Sequence, residues 1–316
     1  MSSLLLSPPA LALGNGSSAY PLANFAKVWR EFLAKGGPLP CEYQTLNHGL
    51  AELGDAVRAG VVTREAVLRH AREVTFSRLP GTMQAQALAR QFGYSGDFLM
   101  IDHIYTQKIH PDPRLRAWDL FFHAQVAPHA VRNRKAYFQR LMQALVAVTS
   151  RPLAVLNVAS GPARDLCEFF QNHPDAPVEV DSVDMDARAI AHAETLCRPW
   201  LDRLKFHQRN VLRMTPIRSY DLVWSAGLFD YLNDRLFVKV LRGLLAVARP
   251  GGEVVIGNFS DFNPSRDYME LLGDWSLRHR SRETLLELGA AAGAAPAAMQ
   301  VLWEPEGVNY FLHIQR

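Results

Sequence analysis

The chain has 316 residues, 48% hydrophobic and 21% charged, which is enough for one elaborated α/β domain or for a core domain with a helical partner. Its 34 basic and 31 acidic residues are interspersed, for a formal charge of +3, and no Lys/Arg run tracks a phosphate backbone, so nucleic acid is not an expected partner. Cys41, Cys167 and Cys197 are far apart and odd in number, which speaks against a disulfide framework or a cysteine zinc site and suits a reducing cytoplasm.

Residues 1–20 are mildly apolar, have no basic leading region and are broken by Pro8 and Pro9, so they read as a flexible tail and not as a secretion signal. No stretch reaches the roughly 20 apolar residues that span a bilayer. Residues 21–150 read as a helical N-terminal region, because apolar residues recur at three and four in FAKVWREFLAKGG, LNHGLAELGDAVRAG, TREAVLRHAREVTFSRL, MQAQALARQFG and VRNRKAYFQRLMQALVAV. Thr63 carries an N-cap signal, and Gly60 and Gly81 read as breaks. Between these helices, residues 93–130 are rich in Gly, Pro, His and aromatics, too irregular for a simple amphipathic helix, and read as a substrate-facing segment or docking surface. His103, His110, His123 and His129 are spaced so that no pair shares a helix face, and no metal site is expected.

After Arg151-Pro152 the texture changes. Short apolar runs, LAVLNVA, VEVDSVDM, LKFHQRNV, YDLVWSAG and GGEVVIGNF, alternate with helical ones, the signature of a parallel sheet wrapped by helices. AAMQVLWEP and VNYFLHIQR add two strands joined by a Pro/Gly turn, so residues 151–316 form the second unit.

The first strand runs into SGPARD, a small-residue turn that opens a helix, where backbone can approach a ligand closely and free N–H groups face it. Asp184, about 20 residues on at the end of the second strand, is placed to bind ribose hydroxyls. Alone, such a turn is weak evidence. The ordered series LNVASGPARD, SVDMDARAI, FHQRNVLRM, YDLVWSAGLFDYL and RPGGEVVIGNF resembles the motifs of class I S-adenosylmethionine (SAM)-dependent methyltransferases over the last half of the chain. The resemblance implies a Rossmann-like α/β fold with a mostly parallel seven-stranded sheet, and SAM as cofactor. It puts Ala159, Ser160 and Gly161 under the methionine part, Asp184 on the ribose, Met185 on the adenine face, and Asn210 and Val211 on the adenine edge. The sequence departs from the pattern at the methionine end, where Asn157 stands for the usual acidic residue and Ala159 and Ala163 for glycines; Arg164 and Asp165 are candidates to rebuild those contacts.

A narrower resemblance, in GYSGDFLMIDHIY, APHAVRNRK, SAGLFDYL and RDYMELLGDWSLRHRS, is to a bacterial methyltransferase family named for fatty-acid methyl ester biosynthesis, whose quorum-signal members methylate a 3-hydroxy fatty acid carboxylate. It implies a small-molecule acceptor, a carboxylate such as a hydroxy fatty acid. A sulfonium is an excellent leaving group and a carboxylate is ionised at neutral pH, so positioning can supply most of the rate without a base. Candidate site residues are Ser225, Asp230 and Tyr231 after the fourth strand, Tyr94, Asp97, Asp102 and Tyr105 as a lid over the SAM tail, and Arg132, Asn133 and Arg134 as a grip on a carboxylate, that of SAM or of the acceptor. Of these, Tyr105, Asn133, Ser225, Asp230 and Tyr231 are taken as catalytic, and Tyr94 and Ser225 join Asn157 and Asp165 as cofactor contacts. Tyr268, Trp275 and the basic Arg278 to Arg280 stretch either wall the acceptor pocket or pack a helix on the sheet edge. Two other readings stay open: SAM cyclised by its own amine to azetidine-2-carboxylate and methylthioadenosine, and SAM binding without turnover.

Overall fold

The structure, a computed structural model, describes residues 20–213 and 218–316. The expected tail lies outside the described residues, apart from Tyr20 at the start of the first helix. Seven described helices come first: α1 (Tyr20–Ala34), α2 (Tyr43–Arg58), α3 (Arg64–Arg78), α4 (Met83–Ala89), α5 (Phe98–Tyr105), α6 (Pro113–His123) and α7 (Val126–Val148). Local chemistry fixes their starts, since Thr63, Thr82, Asp97 and Asp112 each accept a backbone N–H of the first turn they precede. Gly60 takes φ +71 just past α2, a conformation open to glycine at little cost.

The expectation of irregular backbone over 93–130 is corrected: α5, α6 and the start of α7 fill it. At 8 and 11 residues, α5 and α6 are too short for periodicity to stand out, and their caps, Asp97 and Asp112-Pro113, define them instead.

The second half alternates strand and helix: β1 (Leu153–Val158), α8 (Arg164–Asn172), β2 (Val178–Asp184), α9 (Ala187–Leu196), β3 (Leu204–Gln208), β4 (Tyr220–Ser225), α10 (Asp234–Val247), β5 (Ala248–Phe259), α11 (Arg282–Ala291), β6 (Met299–Trp303) and β7 (Asn309–Gln315). The sheet order is β3-β2-β1-β4-β5-β7-β6, and β7 runs antiparallel to both its neighbours. Both sheet faces are covered, which is why β1 is buried along its whole length. Phe237, Leu241 and Leu244 of α10 and Leu285 of α11 pack one face; Leu166 and Phe170 of α8, Ala193 of α9, and Phe138 and Met142 of α7 pack the other.

The helical region has a core of its own around Trp29, Leu46, Leu50, Phe121 and Phe122, completed by residues from far along the chain: Tyr268, Met269, Leu271, Leu272, Trp275 and Leu277. Five of these lie in or just after a π-helical turn, Tyr268–Leu272, a backbone irregularity that often marks functional sites. Asp274 then adopts φ +48, uncommon for a residue with a Cβ, and is held by Arg64, Arg72 and Arg90 at 2.8, 2.6 and 2.7 Å. Two halves legible as separate units in sequence are thus joined through α7 and the 268–277 segment. Among the described residues, no helix is long and apolar enough to cross a membrane.

Asp274→Ala is expected to lower the unfolding free energy by about 2 kcal/mol, since three guanidinium groups lose a shared carboxylate. Denaturant titration followed by tryptophan fluorescence checks it.

Candidate functional site

Strands β1, β2 and β4 end along one rim of the sheet, and the strand order reverses between β1 and β4, the place where open α/β sheets bind ligands. A cavity of about 810 Å³ lies there, roofed by the N-terminal helices. Its floor is the turn from β1 to α8, in which Ala159, Gly161 and Ala163 all have left-handed backbone, φ +53, +54 and +51. Only at Gly161 is this free of side-chain strain, and there a Cβ would meet nothing within 4 Å, so the backbone lies open to the cavity. The two alanines hold the same conformation at about 1–2 kcal/mol each, a cost tolerated where backbone must be presented to a ligand. At the end of β2 the Asp184 carboxylate accepts the N–H groups of Gly161 and Asp186, both at 2.9 Å, which fixes it at the cavity edge. Burial pushes its pKa up against the pull of those two N–H groups.

The opposite wall comes from the helical half. Arg164, at the start of α8, forms an ion pair with Asp102 of α5, and His192 of α9 reaches the same carboxylate at 3.3 Å. This ties α5 to the floor of the cavity. The segment from Arg90 to Asp97 crosses the rim: Arg188 donates to Phe92 O at 3.1 Å, Tyr94 Oη to Asp186 at 3.2 Å, and Tyr231 Oη to Ser95 O at 3.0 Å. Trp275 donates through Nε1 to Tyr231 Oη at 2.9 Å. Gly96 is required beneath this pair, since a Cβ there would overlap the Trp275 ring.

The centre of the cavity is polar and incompletely satisfied. Arg134 of α7 is 5% exposed; its Nη1 donates to Ala226 O at 3.2 Å, while its Nε has no partner among the described residues. Asn157 Nδ2 and Ser160 Oγ are likewise buried without a partner. Asp165 accepts Leu166 N–H and Asp230 accepts Phe259 N–H, each through one oxygen, at 2.9 and 2.6 Å. Burial pushes Asp165 up to about 6 against the Leu166 N–H and Arg134, and pushes Asp230 up to about 7 against the Phe259 N–H, Arg134 and Arg280. Leaving so many buried groups unpaired costs roughly 1–3 kcal/mol each. Their convergence on one cavity marks a site built for a polar ligand.

Of the residues singled out from sequence, Tyr94, Tyr105, Asn157, Ala159, Ser160, Gly161, Asp165, Asp184, Met185, Asn210, Val211, Asp230 and Tyr231 line this cavity. Two do not. Asn133 points away and donates to Glu304 at 2.8 Å, because one step along a helix turns the side chain by about 100°, and it is the next residue, Arg134, that faces inward. Ser225 is fully buried beneath the floor, where its Oγ donates to Val158 O at 3.1 Å and ties β4 to β1. Arg132 donates to His123 O outside the cavity. Of the late aromatic and basic residues, Trp275 lines the cavity, Tyr268 bonds Gln84, and Arg280 holds the 229–234 turn through the carbonyls of Phe229 and Leu232. Sequence reasoning missed Phe259, Leu277 and the 226–228 backbone.

A family model described as a methyltransferase domain matches residues 155–252. The match runs from β1 into β5. The chain also shares its fold with solved structures. A possible exported protein from Bordetella parapertussis is 17% identical, with a TM-score of 0.60 over 80% of this chain and 95% of that one. The CMeT domain of the citrinin polyketide synthase is 16% identical, with a TM-score of 0.51 over 83% of this chain and 68% of that one. No curated protein matches the chain.

S-adenosylmethionine is the cofactor of a methyltransferase domain, and the cavity residues fit it. The acidic end of β2 and the exposed backbone at Gly161 suit a nucleoside, and the unpaired Arg134 Nε, Asn157 Nδ2 and Ser160 Oγ suit a zwitterionic amino-acid tail.

The raised Asp165 has a consequence for stability. Its folded pKa exceeds the unfolded carboxylate value, so the folded chain binds the proton more tightly, and its contribution is lost as pH rises from about 4 through about 6. Asp165→Asn removes the buried charge, so its melting temperature relative to the parent protein is expected to climb across that window and stay higher at pH 8. Thermal scans of the ligand-free proteins from pH 4 to 8 check the sign.

Proposed function

We propose that the protein is a SAM-dependent methyltransferase acting on a small molecule, a carboxylate with an apolar body such as a hydroxy fatty acid. The observation that carries this reading is the division of the cavity into a polar floor and an apolar wall. On the floor, Asp184 would hold the ribose, Met185 the adenine face, and Asn210 with Val211 the adenine edge. Asn210 Oδ1 already accepts Leu212 N–H at 2.9 Å and keeps a second lone pair for an exocyclic amine. Arg134 and Asp165 offer opposite charges to the carboxylate and ammonium of the methionine end, in place of the acidic residue that Asn157 replaces.

The wall is formed by Ile101, Val131, Phe259, Trp275 and Leu277, which would bury an apolar acceptor and exclude water. When bound, SAM supplies an activated methyl group. The protein's own part is to orient both molecules and desolvate them: Arg134 anchors a carboxylate, the segment carrying Tyr94 covers the rim, and Trp275 with Tyr231 closes the acceptor side.

Purified protein incubated with SAM and a panel of hydroxy fatty acids should release S-adenosylhomocysteine and a product heavier by one methylene. No release with any acceptor contradicts the reading. Methylthioadenosine from SAM alone selects intramolecular cyclisation instead, and tight SAM binding without product selects a sensing role. Asp184→Ala should weaken SAM binding by about 10- to 100-fold, read by titration calorimetry.

A further inference from the structure

The turn after β4 places a carboxylate, Asp230, on the cavity wall with no counterpart in the cofactor contacts. Its side chain is buried, one oxygen is fixed by the Phe259 N–H of β5 at 2.6 Å, and the other has no hydrogen-bond partner among the described residues. The charged and titratable groups around it are Arg134 from α7, Arg280 from the segment before α11, and Tyr231 beside it; Arg134 also interacts with Asp165 of α8 and Tyr105 of α5. Neither arginine forms an ion pair with it within 4.0 Å, so its second oxygen is not used up in a salt bridge.

Such a group is poorly suited to a reacting carboxylate. Two anions would face each other in a dry cavity, and a carboxylate nucleophile has no proton for Asp230 to take. It is well suited to a hydroxyl, whose oxygen becomes nucleophilic as its proton leaves.

We propose that Asp230 is the general base of this site and that the atom methylated is an acceptor hydroxyl. The proposal rests on the reading of the cavity as a methyl-transfer site. The acceptor oxygen forms its bond to the methyl carbon as the carbon–sulfur bond breaks with its electron pair onto sulfur. The hydroxyl proton passes to the Asp230 carboxylate, so the sulfonium and carboxylate charges are lost together and the products are an ether, S-adenosylhomocysteine and a neutral Asp230. Burial, which pushes Asp230 up to about 7, matches its basicity to neutral pH against the opposing pull of the Phe259 N–H, Arg134 and Arg280.

A hydroxy fatty acid carries both nucleophiles in one molecule and so decides the point. The methylated product is expected to survive mild alkali, as an ether does; a product saponified back to the hydroxy acid is an ester and overturns the proposal while leaving methyl transfer intact. Activity should rise with pH to a plateau above about 7 in the parent protein. Asp230→Asn keeps an oxygen for the Phe259 N–H and should lose about 10²-fold or more in kcat with SAM affinity little changed. Infrared titration of the ligand-free protein should show a carboxyl band disappearing near pH 7 that is absent from Asp230→Asn. Full activity of that variant with an unaltered pH profile overturns the proposal, and methylthioadenosine in place of any methylated product overturns it together with the reading beneath it.

Discussion

Arg134 is a guanidinium buried at the seam between a helical layer and a parallel sheet, and burying a charge is expensive unless neighbouring charges and dipoles compensate. Here compensation is partial. Ala226 O takes one of its hydrogens, Asp165 and Asp230 supply negative potential, and its Nε is left without a partner. The fold spends stability to keep this group facing the cavity, as sites that bind charged ligands commonly do. Much of the surrounding structure holds Arg134 in place: Tyr137, one turn further along α7, stacks on Phe311 at 4.0 Å and bonds His313 at 2.6 Å, which in turn meets Glu253 at 2.7 Å.

The same seam explains why the N-terminal half is not a detachable cap. Asp102 binds Arg164 at the head of α8, and the π-helical turn with the strained Asp274 brings Trp275 and Leu277 into the cavity while its other side chains complete the helical core. The apolar wall and the polar floor of the cavity therefore share packing. The helical side is tied to α8, which follows the turn at Ala159–Ala163, through the Asp102–Arg164 and Lys135–Glu168 ion pairs.

The seven strands and their order-defining turns were legible because each strand is a short apolar run between turn residues, and Asp184 stands where strand length alone puts it. The helices α5 and α6 were hidden by their shortness and by the aromatics they bury. At the site, Asn157 and Asp184 line the cavity from near the ends of β1 and β2, where alternation along a strand fixes the face, and Asp230 joins them from the turn after β4. Ser225 shows the limit: at the same strand end, it points under the floor. On α7 a run of three polar residues gave no basis for choosing which one faces inward, and only the packing of Val131 and Phe138 on either side settles it for Arg134. For Trp275 the sequence leaves two readings open, pocket wall or helix packing, because the backbone that delivers it is irregular.

On the proposed reading, the unpaired polar groups of the cavity floor form one binding site for the amino-acid end of the cofactor. A crystal structure of the protein with S-adenosylhomocysteine tests it most directly. The expected result is the ligand carboxylate within hydrogen-bond distance of Arg134, its ammonium at Asp165 and its ribose on Asp184; a ligand whose amino-acid end lies away from Arg134 and Asp165, with those groups still unpaired, overturns that reading.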